Sequence, residues 1–111
     1  MMICYNQAMD KIKIHVPREQ LINFCRKNRI TKLAFFGSVL REDFSPQSDV
    51  DVLVEFDEGK TPGFAFFGLQ EELKGLFNRE VDLHTFKGVE TSRNPFRRKA
   101  ILESAQVYYV A

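Results

Sequence analysis

No apolar run in the chain approaches the roughly 20 residues that span a bilayer, so no membrane-crossing helix is expected. Charge of one sign is scarce too: 16 Lys and Arg stand against 15 Asp and Glu, a net charge of +1. Bulk binding to nucleic acid needs a strong cationic field, and disorder needs high net charge with low hydrophobicity. The balance argues against both. Cysteine is limited to Cys4 and Cys25, whose separation fits no metal-ligand spacing. Two reduced thiols in a cytoplasmic protein are expected over a single disulfide. The first sixteen residues lack the continuous apolar stretch of a signal peptide. Apolar and aromatic side chains are what the chain does have. Of its 111 residues 44% are hydrophobic, 11 of them Phe and 3 Tyr, enough for a core without staples. One domain over 1–111 is expected.

Residues 1–16 read as an N-terminal arm or strand, because Lys11 to Val16 alternates polar and apolar. Pro17 suits a helix start, and Leu21, Ile22, Phe24 and Cys25 recur at helical spacing, which predicts a helix over 17–29. Lys32 to Phe36, ended by Gly37, has the pattern of a buried strand. Phe44 to Ser48 reads as a loop, Val50 to Phe56 as a Val-rich central strand, and Asp57 to Gly63 as a turn. Phe66, Leu69, Leu73, Leu76 and Phe77 step by three and four, predicting a second helix over 64–78. Val81 to Thr85 is a third strand. Asn94-Pro95 caps a helix that runs to about Ala105, and Val107 to Val110 is a strand or a docked tail. Strands alternating with helices predict a two-layer α/β (α+β) domain. Its small mixed sheet should carry helices on one face and carboxylates on the other.

Those carboxylates are the chemistry. Asp49 and Asp51 stand two apart at the entrance of a strand, so both side chains share one face while Val50, Val52 and Val54 occupy the other. Two carboxylates held side by side repel unless a cation lies between them, and Mg²⁺ takes oxygen ligands. Alone, an Asp-x-Asp pair is more often a solvated strand entrance. Asp82 adds a third carboxylate, opposite Val81 and Leu83 on its own strand. If the two strands are neighbours, the three form a site of the two-metal kind. Gly37-Ser38 ends one strand and opens a helical turn. Gly allows close backbone approach, a helix start offers free N–H groups to phosphate, and the Ser38 hydroxyl adds a hydrogen bond. By itself a Gly-Ser pair is more often an ordinary turn and cap.

Gly37-Ser38, ten intervening residues, Asp49-x-Asp51 at a strand start and a later strand Asp82 together resemble the nucleotidyltransferase superfamily of the DNA polymerase β type. The match is to its minimal nucleotidyltransferases and runs from about Pro17 to Tyr108. The resemblance implies that Gly37 and Ser38 hold the triphosphate of ATP. It also implies that Asp49 and Asp51 bind two Mg²⁺ ions, and that Asp82 completes one metal site and helps activate an acceptor hydroxyl. Many relatives read Gly-Ser-x-Ala-Arg-Gly; here Leu40 and Glu42 flank a retained Arg41, which can pair with phosphate or hold the loop against Asp43 or Asp49.

Small domains of this family often pair with a helical HEPN ribonuclease toxin and adenylylate one of its tyrosines, so the resemblance implies an antitoxin with that partner. Two other functions remain open: an antitoxin that neutralises by contact alone, and a small-molecule nucleotidyltransferase, which needs an acceptor-binding domain. His84 shares the Asp82 face, where it either touches substrate or serves structure. The basic cluster of Arg93, Arg97, Arg98 and Lys99, and the crowd of Phe64, Phe66 and Phe67, are candidate docking surfaces.

Overall fold

Each strand and long helix expected from Pro17 onward has a counterpart in the computed structural model, which describes residues 14–42, 44–57, 63 and 65–111. Cys4, Asp43, Phe64 and most of the expected N-terminal arm lie outside the described residues. Within 14–16 there is no strand, although Ile14 and Val16 pack against the core. Helix α1 (Arg18–Lys27) follows Pro17, which takes the cap position, and buries Leu21, Phe24 and Cys25. Arg29, at φ 58, turns the chain into β1 (Ile30–Phe36). A 3₁₀ turn (Gly37–Leu40) and a loop lead to β2 (Val50–Phe56), then to α2 (Ala65–Phe77) and β3 (Val81–Thr85). A short helix α3 (Phe86–Glu90) precedes α4 (Pro95–Ser104) and β4 (Gln106–Val110).

The four strands form one sheet in the order β3-β2-β1-β4. β1 runs antiparallel to both β2 and β4, whereas β2 and β3 are parallel, so the sheet is mixed. A parallel neighbour requires a crossover, and α2 supplies it. One sheet face presents Leu33, Phe35, Val50, Val52, Val54, Val81 and Leu83 to α1 and α2, forming the main core. At its centre Phe35 is fully buried, with the rings of Phe77 and Tyr108 each 5.8 Å away in edge-on contact.

The opposite face is not bare. Ala34, Phe36 and Leu53 meet Phe86, Val89 and Ile101 in a second, smaller cluster, so α3 and α4 partly cover the face that carries the carboxylates. Helices on one face therefore describe the main core only. The cause is α3, a five-residue helix capped by Thr85, whose Oγ1 accepts from Gly88 N at 2.9 Å. It folds the chain back over the sheet directly after β3. Asn94 Oδ1 then accepts from both Phe96 N and Arg97 N at 3.1 Å and starts α4 across the same face.

Candidate active site

The register of the sheet decides which side chains meet. Phe36 pairs with Asp51, Asp51 with Asp82, and Leu53 with His84. Because side chains alternate along a strand, Asp51, Asp82 and His84 emerge on the α3–α4 face, beside Phe36 and away from the valines of the main core. Two further contacts hold β3 against the loop before β2. Val50 N donates to Glu80 O at 2.9 Å, and Arg79 Nη2 donates to Ser45 O at 2.7 Å while its guanidinium lies 4.3 Å over the Phe44 ring. Arg79 was not singled out from the sequence, because a lone Arg beside a strand carries no periodic signal.

Asp51, Asp82 and His84 form a close group, in which one ligand atom from each lies within 4.8 Å of the others. His84 Nε2 sits 3.0 Å from Asp82 Oδ2, and the imidazole is held edge-on to the Phe36 ring at 5.6 Å. Burial pushes the Asp51 carboxyl above its ordinary range, and the Asp82 charge adds to that rise. His84 and Arg41 work against it, while Asp49 adds to it. Asp49 itself is exposed just ahead of β2 and stands outside the close group.

Gly37 has φ +77, and a Cβ built there would collide with Asp51 Oδ2. Its positive φ favours glycine, and its bareness leaves the Asp51 carboxylate in the place it occupies. Ser38 Oγ donates to Asp49 O at 3.3 Å, which ties the 3₁₀ turn to the entrance of β2. Arg41 is exposed at the end of that turn. It lines a cavity of about 290 Å³ with Gly37, Leu40, Ser104 and Gln106. A larger cavity of about 580 Å³ opens beside His84, with Phe66, Phe67, Arg97, Arg98 and Ile101 on its walls. Phe67 and Arg97, distant in sequence, thus border one hollow next to the close group, and Phe67 is 69% exposed.

The donors present suit a divalent cation. Hard ions take carboxylate oxygens. A positive charge between Asp51 and Asp82 offsets both the burial and the repulsion that raise the Asp51 carboxyl. Cys25, by contrast, is buried in the main core with its thiol pushed up to about 12 by burial, and takes no part.

Residues 18–108 match the family model for the nucleotidyltransferase domain. Two proteins of Methanocaldococcus jannaschii, each named "putative protein adenylyltransferase", are relatives. One is 37% identical over 78 residues, spanning 69% of this chain and 75% of its own length. The other is 30% identical over 94 residues, spanning 85% and 96%. A solved structure described as a "putative minimal nucleotidyltransferase" superposes with a TM-score of 0.61 at 32% identity, over 79% of this chain and 85% of that one. A toxin–antitoxin structure with AMP-PNP shares the fold at a TM-score of 0.67 and 17% identity, over 86% and 75%. With its mixed four-stranded sheet and its match over nearly the whole length, the chain belongs to the nucleotidyltransferase family, among its minimal members.

Proposed function

We propose that this nucleotidyltransferase moves AMP from ATP to a tyrosine hydroxyl of a partner protein, a HEPN-type toxin, and so acts as its antitoxin. The observation that carries the reading is the pairing of Asp51 with Asp82 on adjacent parallel strands, with the bare Gly37 turn packed against Asp51. The names of the M. jannaschii relatives support a protein as acceptor, and the toxin–antitoxin structures of the same fold support a toxin as that protein.

In this reading the turn at Gly37 and Ser38 receives the triphosphate, and Arg41, on the wall of the cavity beside Gly37, draws the charge of the departing pyrophosphate. Asp49, Asp51 and Asp82 would hold divalent cations, Mg²⁺ being the family's expected ion, which would supply positive charge to the phosphate and favour ionisation of the acceptor. The acceptor oxygen attacks the α-phosphorus, a P–O bond forms, the α–β bridging bond breaks, and pyrophosphate leaves. The acceptor's proton passes to the Asp82 carboxylate, which is half exposed and reachable. The cavity beside His84 offers an entry for a partner's aromatic side chain between Phe66, Phe67 and the two Arg side chains.

Intact mass spectrometry of the toxin after incubation with ATP, a divalent cation and this protein tests the reading. The expected result is a gain of AMP units that disappears with Asp51→Asn. Neutralisation of the toxin by Asp51→Asn without any mass gain would instead establish inhibition by contact alone.

A further inference from the structure

We propose that His84 is a ligand of the divalent ion held by Asp51 and Asp82, and that its nitrogen turns this site toward Mn²⁺ over Mg²⁺. The proposal rests on the reading of the site as a metal-dependent transferase centre. The resemblance assigned three carboxylates to the ions. The close group is composed differently: two carboxylates and an imidazole, with Asp49 outside it.

The imidazole is placed by the fold. Leu53 and His84 are register partners two residues beyond Asp51 and Asp82, so the His84 side chain emerges on the same face in the next row. The Phe36 ring lies edge-on to it at 5.6 Å, and Nε2 lies 3.0 Å from Asp82 Oδ2. In the metal-free chain that is an ion-pair distance, and it also matches the edge of a coordination octahedron, where two ligand atoms about 2.1 Å from one ion and at right angles lie about 3.0 Å apart. On the other side, Gly37 abuts the Asp51 carboxylate closely enough that a Cβ there would collide with its Oδ2. The three donors therefore lie within 4.8 Å of one another before an ion arrives, and such pre-organisation lowers the cost of binding.

Donor chemistry then sets the preference. Mg²⁺ selects oxygen and surrenders its waters reluctantly. Mn²⁺ also takes carboxylates and water, but as the first member of the transition series it accepts an imidazole nitrogen at less cost than Mg²⁺ does. An oxygen-only site discriminates weakly between Mg²⁺ and Mn²⁺. One nitrogen in the set favours Mn²⁺.

Pulsed electron paramagnetic resonance on the full chain with Mn²⁺ alone reads the ligand directly, because a coordinated imidazole imposes nitrogen hyperfine coupling on the ion. The chain has 2 histidines, His15 and His84, so one variant of each assigns the signal. Coupling is expected in the unmodified protein and in His15→Gln, and none in His84→Gln. Mn²⁺ affinity should fall about tenfold or more in His84→Gln, while Mg²⁺ affinity, read by competition, moves less than about twofold. Absence of nitrogen coupling in the unmodified protein overturns the proposal, as does coupling that survives in His84→Gln. Equal loss of affinity for both ions does so too, because it makes His84 a positioning residue for Asp82. Should His84→Gln fail to fold, nitrogen coupling in the unmodified protein and in His15→Gln still decides ligation, and His84→Ala takes its place in the affinity comparison. Nitrogen coupling without any AMP transfer would keep this inference and overturn the proposed function. Transfer without nitrogen coupling would do the reverse.

Discussion

Burial and the facing Asp82 raise the Asp51 carboxyl, so the folded chain retains the Asp51 proton to higher pH than the unfolded chain does. The folded state therefore binds more protons across the window between the ordinary Asp range and the raised one. Stability is lost as pH rises through that window, and the cost is complete above it. Asp51→Asn removes the charge, so its metal-free thermal midpoint at neutral pH should exceed that of the unmodified protein. The gap should close as pH is lowered through the window. The same variant should lose AMP transfer by about 100-fold or more, as other sites do when a charge-stabilising group is removed. Thermal melts at several pH values and a transfer assay check both halves. Gly37 allows a second residue-level test. Gly37 and Gly63 both have positive φ, but a Cβ meets Asp51 at the first and open space at the second. Gly63→Ala should cost about 1 kcal/mol from backbone strain alone. Gly37→Ala should cost at least as much in urea unfolding and, unlike Gly63→Ala, should weaken metal binding, because the Asp51 carboxylate must move.

Among the elements, α3 and α4 matter most to the site, since they roof the carboxylate face. Their starts depend on single side chains. Thr85 caps α3, and Asn94 caps α4 through two backbone N–H groups with Pro95 following it. Asn94→Ala should lower stability by about 1 kcal/mol in a urea titration. It should also raise hydrogen exchange in the first turn of α4, next to the Arg97 and Arg98 wall of the larger cavity. The β2–β3 pair is the other decisive element. A slip of one residue in its register would send Asp82 and His84 to the main core and bring Val81 and Leu83 out. Burial of Val50, Val52, Val54, Val81 and Leu83 against α1 and α2 prevents that slip, so the apolar face holds the polar one in alignment.

At the scale of the whole molecule, Phe35 joins the layers: it lies on β1 and meets Phe77 of α2 and Tyr108 of β4. Phe35→Ala should cost about 3–5 kcal/mol in chemical denaturation, a large share of a small domain's stability. Cys25, fully buried in the same core, reports on global opening. In a Cys4→Ser background, alkylation of Cys25 should be negligible in buffer and should follow the urea unfolding curve. Burial suppresses both access to the thiol and its ionisation.

The local elements, and the carboxylates proposed for the site, were legible in the chain itself. Alternation with period two separated Asp49, Asp51 and Asp82 from the valines. Helical spacing marked α1 and α2, Asn94-Pro95 marked α4, and the Gly37-Ser38 to Asp49-x-Asp51 spacing pointed to the family. These are short-range patterns, set by backbone geometry within a few residues. α3 was not legible, because five residues with Gly88 among them show less than two helical turns of periodicity. The second cluster on the carboxylate face follows from α3 and was hidden with it. The make-up of the close group was hidden for a different reason. Sequence places Asp49 and Asp51 together by proximity. Only strand order, register and the Phe36 ring bring Asp82 and His84 to Asp51 and leave Asp49 at the rim. Which donors share one ion is a matter of ångströms between separate strands. Those distances are set when the apolar face packs, a long-range event that no local pattern encodes.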